Sequence, residues 1–113
     1  MPVLALRANW SYTYRAMKIL ALEKEKPSVG EERFTEEILE SEARKAWTLY
    51  KSGVLRELYF RADKREAVLV LECKDADEAR LQLNELPLVR AGLIDFELIP
   101  LLAYPGFERL FKK

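Results

Sequence analysis

Hydrophobic and polar positions recur with two different periods along this chain, and the switches between those periods predict six elements. Met17 to Glu23 reads as a first strand. From Glu31 to Lys51 the apolar residues Phe34, Ile38, Leu39, Ala43, Ala46, Leu49 and Tyr50 gather on one arc when the segment is wound at about 100° per residue, which predicts an amphipathic helix reaching Ser52. Gly53 supplies its stop, because glycine enters the left-handed conformation without a Cβ penalty. Val54 to Ala62 and Ala67 to Cys73 predict two strands of a hairpin joined by the polar run Asp63-Lys64-Arg65-Glu66. Asp75, with Glu78 three residues on, has the spacing of a capping box and opens a second helix whose buried side is Ala79, Leu83 and Leu86; Pro87 ends it. Ile94 to Leu101 is a fourth strand, and Tyr104-Pro105-Gly106-Phe107 begins an aromatic tail.

The order βαββαβ predicts an α+β fold of ferredoxin-like type, with a four-stranded antiparallel sheet carrying two helices on one face. Its other face is then apolar and uncovered, which a soluble monomer does not tolerate, so a homodimer with facing sheets is expected: a dimeric α+β barrel. Strict alternation in the second strand places Leu55, Glu57, Tyr59 and Arg61 on one side and Arg56, Leu58 and Phe60 on the other. Residues 17–113 form the single predicted domain. Residues 1–16, with Trp10, Tyr12 and Tyr14 but no clear period, are expected to be a dispensable extension, the alternative being an extra strand or a cover for the partner subunit.

Composition narrows the chemistry. Nineteen lysines and arginines balance nineteen aspartates and glutamates, so the basic footprint of a nucleic-acid binder is missing and no such partner is expected. No apolar run approaches the roughly 20 residues of a membrane helix, and no signal core is evident at the N-terminus, so a cytoplasmic location is the default expectation. The chain has no histidine, which excludes triads built on an imidazole base and, with Cys73 the only cysteine, the usual zinc sites and any internal disulfide. Neither a metal nor an organic cofactor is expected. Cys73 ends an apolar strand and reads as a small core residue. Asp75, Asp77 and Glu78 read as charges favoured at a helix start and not as a metal cluster.

One position breaks the helical pattern. Glu42 lies inside the apolar arc of the first helix, and an ionised carboxylate there must be paired, neutralised by a raised pKa, or turned to a cavity. A small-molecule site is one reading; the others are a partly solvated place at the edge of the face and a structural ion pair, with Arg56 pairing with Glu42 or with Glu97 to hold the sheet to the helix.

Glu42 with Gly53 eleven residues on, the run Gly53-Val54-Leu55-Arg56-Glu57-Leu58-Tyr59, and Leu86-Pro87-Leu88 leading into Ile94-Asp95-Phe96-Glu97 together resemble the dimeric α+β barrel superfamily, and within it the muconolactone isomerase-like proteins. That resemblance implies an enzyme that moves a proton between carbons of an unsaturated lactone without a cofactor. Glu42 would be the shuttle, Arg56 would hold a substrate carboxylate or the developing oxyanion, and Tyr59, where those isomerases tend to carry tryptophan, would shape the site. The chain departs from them in lacking any imidazole and in carrying Glu57 after Arg56.

Around these, Trp47 and Tyr50 are candidate walls for a planar ligand or core residues, Glu57 and Arg61 are rim or interface charges, and Tyr104 anchors the tail. A non-catalytic ligand-binding dimer and a cofactor-free monooxygenase acting on phenols are the competing functional expectations.

Overall fold

The computed structural model describes residues 16–112. The expectation for residues 1–16 therefore falls almost wholly outside the described residues. Strands β1 (Met17–Lys24), β2 (Leu55–Phe60), β3 (Ala67–Cys73) and β4 (Asp95–Leu101) form one antiparallel sheet in the order β2-β3-β1-β4, with helices α1 (Glu36–Ser52), α2 (Ala76–Leu83) and the short α3 (Pro87–Arg90) between them. This is the ferredoxin-like α+β arrangement.

The two central strands alternate as a sheet with one covered face should. Ile19 and Ala21 of β1 and Leu69, Leu71 and Cys73 of β3 are buried beneath the helices, while Leu20, Leu22, Val68 and Val70 turn to the other side. Ala79 and Leu83 from α2, Leu86 and Leu88 around α3, Leu49 from α1, and Phe96 from β4 complete the core. Burying each large aliphatic side chain contributes about 1.5–3 kcal/mol. Most of that comes from the α2 side of the molecule, since Leu49 is the only fully buried residue of α1.

Local chemistry sets the helix ends, with two corrections to expectation. The first helix does not begin at Glu31. Glu31–Arg33 is a single 3-10 turn, and α1 starts after Thr35, whose side chain accepts the Ile38 N–H at 3.2 Å. Gly53 closes α1 with φ 88°, and its N–H bonds to the Tyr50 carbonyl. Asp75 caps α2 by accepting the Glu78 N–H at 2.8 Å, while Glu78 reaches back to the Lys74 N–H at 2.7 Å, one residue further than a standard box. Pro87 does end the run begun by α2, but it also opens α3, where a proline at the first turn forfeits no hydrogen bond.

The second correction concerns β2. Leu55 pairs with Leu71 but Glu57 pairs with Val70, so Arg56 is an extra residue in a β-bulge. Beyond it the phase is reversed: Leu58 and Phe60 stand opposite Leu69 and Ala67 on the helix side, and Glu57 and Tyr59 stand opposite Val70 and Val68 on the open side. Leu55 and Tyr59 therefore do not share a face.

Candidate functional site

A chamber of about 280 Å³ lies between α1 and the sheet. It exists because α1 stands off: its inner residues Leu39, Glu42, Ala43 and Ala46 face Leu55, Leu58 and Phe60 of β2 and Leu69 and Leu71 of β3 across a gap that side chains do not fill. Leu39, Leu58 and Phe60 are all more than two-fifths exposed, which places an apolar mouth at the edge between α1 and β2.

Only two charged residues line this chamber, Glu23 and Glu42. Glu42 Oε1 accepts the Leu88 N–H at 2.9 Å and so caps α3 from a distance, since Leu86 at the N-cap has no side chain able to do it. Burial pushes the Glu42 carboxyl above the usual glutamate range; the Leu88 hydrogen bond opposes that and the nearby Glu23 charge adds to it. Glu23 points inward from the end of β1, its Oε1 accepting the Ala67 N–H at 2.8 Å. Burial raises it too, against the Ala67 bond and with a contribution from Glu66. An apolar space holding two carboxyls biased towards their neutral forms can exchange protons with a ligand or hydrogen-bond to one.

The other sequence candidates are distributed elsewhere. Arg56 does not pair with Glu42 or Glu97: the bulge carries it to Glu72, with Nε 3.5 Å from Oε1, in a shallow recess with Ser52, Gly53 and Lys74. Tyr59 lies on the open sheet face and donates its hydroxyl to Glu57 at 2.8 Å, a bond that pushes the phenol up. Arg61, just past β2, forms a fork with Asp63 at 2.8 and 2.6 Å. Trp47 and Tyr50 stack on each other at 5.7 Å on the outer side of α1, with Lys51 over the Trp47 ring, and neither is core nor chamber wall. Tyr104 makes an edge contact with Phe107 in the segment after β4. Of the candidates, the chamber therefore brings in Glu42 alone, and adds Glu23, which the sequence reading treated as the end of a strand. The signal for Glu23 was its phase: it continues the inward set Met17, Ile19, Ala21.

Among the described residues no helix is long and apolar enough to cross a membrane, and no three His, Cys, Asp or Glu side chains are grouped to hold a metal ion. No family model matches the chain, and no curated protein matches it.

Proposed function

We propose that this chain is a cofactor-independent small-molecule enzyme of isomerase type, which moves a proton within a neutral unsaturated lactone or related carbonyl compound and works as a homodimer. The observation that carries the reading is the pair of inward-facing carboxyls, Glu42 and Glu23, in one otherwise apolar chamber. The likeness to muconolactone isomerase-like proteins supports the reaction class. Because Arg56 is engaged with Glu72 outside the chamber, a substrate without its own carboxylate suits the space better.

In this mechanism ionised Glu42 removes a proton from the carbon beside the carbonyl. The C–H bond breaks, an O–H forms on Glu42, and the electron pair passes to the carbonyl oxygen as an enolate. Glu23, whose carboxyl burial also pushes above the usual glutamate range, lines the same chamber and in its protonated form donates a hydrogen bond to that oxygen. The enolate then collapses, and Glu42 returns its proton to the γ-carbon. Leu88 fixes one oxygen of Glu42 throughout, and raised pKa values bring both groups nearer the working pH, where general acid-base catalysis is most efficient. The second subunit covers the open sheet face, where Leu20, Leu22, Val68, Val70 and Ile99 form a continuous apolar patch. Tyr59 and Glu57 then belong to the subunit boundary.

The test is isomerisation of α-angelica lactone in deuterated water, followed by proton NMR. The wild type should convert it with the α-proton carried over to the γ-carbon in competition with exchange, so that deuterium there falls short of the solvent level, and Glu42→Gln should lose about 10²–10⁴-fold in rate while keeping its fold. A wild-type rate equal to that of Glu42→Gln sinks the reading. The Glu42 to Leu88 bond favours a second reading, a non-catalytic binder in which Glu42 only braces α3; there the substitution leaves ligand affinity nearly unchanged.

A further inference from the structure

The segment that follows β4 is apolar, folded and uncovered. Leu102, Tyr104, Phe107, Leu110 and Phe111 are each more than three-fifths exposed. Gly106–Leu110 forms a 3-10 turn, and the Tyr104 ring lies so close over Gly106 that a Cβ there would overlap it. The same ring meets Phe107 edge-on at 5.2 Å. Positions three apart eclipse in such a turn, so Phe107 and Leu110 stand on one side with Phe111 next to them. The tail is thus folded on itself around Gly106 while its own apolar face is left to solvent, which calls for a partner.

A matching gap lies at the opposite corner of the sheet. The chamber opens between α1 and the edge strand β2, where Leu39, Leu58 and Phe60 stand exposed. The tail leaves from the other edge, β4, and from the other end of the strands: Leu101 pairs with Lys18, whereas Phe60 pairs with Ala67, one residue beyond the pair of Val68 with Leu22. Strand spacing and rise put these two points roughly 20 Å apart. Only Leu102 to Pro105 precede the turn, a reach of about 14 Å. Accordingly no residue of the described tail lines its own chamber. A two-fold axis that brings one tail to the mouth of a second copy brings the second tail to the first mouth, so each contact is made twice. Charge agrees: Arg109 and Lys112 outnumber Glu108 on the tail, while the first two turns of α1, from which Leu39 projects, carry Glu36, Glu37, Glu40 and Glu42 and no base. Area agrees too, since covering three aromatic rings removes on the order of 400 Å² per copy, about half of the roughly 800 Å² that one side of a stable interface buries. We propose that residues Leu102 to Lys112 are an arm that docks on a second copy of this chain, seating Phe107, Leu110 and Phe111 against the partner's Leu39, Leu58 and Phe60 and closing its chamber. The chamber is then complete only in the dimer, where the arm supplies its outer wall and keeps water from Glu42. The arm rests on the homodimer of the preceding reading and not on its chemistry.

The experiment mixes full-length chain labelled with ¹³C and ¹⁵N with an equal amount of unlabelled chain and records isotope-filtered NOEs, which arise only between copies. The expected result is NOEs from the ring protons of Phe107 and Phe111 in one copy to the methyl groups of Leu39 and Leu58 in the other. The double variant Leu110→Ser/Phe111→Ser, at two exposed positions, should raise the dimer Kd at least tenfold in analytical ultracentrifugation. Combined with Leu39→Ser, it should raise the Kd by less than the product of the separate effects, because both remove one contact. NOEs between copies confined to Leu20, Val68, Val70 and Ile99 overturn the arm while leaving the facing-sheet dimer and the chamber intact. Ring NOEs found only within one copy, to residues 1–15 included, overturn it as well, as does an unchanged Kd for the tail variant. A monomeric wild type removes both the arm and the homodimer, and lactone turnover then decides the chamber reading separately.

Discussion

Glu42 on α1 accepts the main-chain N–H of Leu88 at 2.9 Å, across 46 positions of sequence. This one bond ties the stand-off helix to the turn that feeds β4. It also holds a carboxyl in a place where ionisation is disfavoured.

That cost sets a pH dependence. Glu42 and Glu23 both titrate above the ordinary 4.5 in the folded protein. Between the ordinary and the raised value the folded state binds more protons than the unfolded chain, so their contribution to stability is greatest below the ordinary value and falls as pH rises through the raised one. Glu42→Gln can still accept the Leu88 N–H but cannot ionise. Its stability relative to wild type in urea melts should therefore grow as the pH rises from the ordinary glutamate value of 4.5 through the raised one. A difference independent of pH would mean that Glu42 is as well solvated as a surface glutamate.

Leu83 is completely buried on α2 and also touches the chamber wall. Leu83→Ala should cost about 2–5 kcal/mol by urea denaturation, towards the upper end if the new space stays empty. A cost below about 1 kcal/mol would mean that α2 settles into the chamber on truncation.

Burial pushes the Cys73 thiol up to about 11, and the charges of Glu78 and Asp75 add to the shift. Thiolate is the reactive form, so at neutral pH the native protein should resist alkylation by iodoacetamide and the urea-unfolded protein should react at the rate of a free thiol. Equal rates in the two states would contradict a core position for this side chain.

A charge at the centre of the open sheet face tests the homodimer. Val70 pairs with Leu20 and Glu57, and Leu20 pairs in turn with Ile99. Val70→Lys should convert a wild-type dimer to a folded monomer in light scattering with unchanged far-ultraviolet circular dichroism. A monomeric wild type would remove the facing-sheet arrangement from the proposed function.

Much of the fold was legible because each strand and helix carries its own period, and because Gly53 and Asp75 mark ends by local chemistry that tertiary contacts did not override. Thr35 and Pro87 carried equally local signals, an N-cap and an N1 proline, which the apolar arc starting at Phe34 and the reading of proline as a stop obscured. The site was less legible. Glu42 stood out because its type conflicts with its face, whereas Glu23 sits at a strand end where a charge is ordinary. Arg56 could not be placed from sequence, since a bulge residue need carry no compositional mark. Nor does periodicity reveal how far α1 stands from the sheet, which depends on side chains from three other elements meeting beneath it.

The bulge has a consequence for how this strand tolerates change. Removing one residue from a strand ordinarily transposes every later side chain to the opposite face. Here, excising Arg56 alone would leave Leu55 opposite Leu71 and bring Glu57 into regular succession opposite Val70, with every later partner unchanged. The edge strand thus holds one residue of slack at the point where it leaves the α1 turn, and a length change of one is absorbed there without touching the chamber residues Leu58 and Phe60.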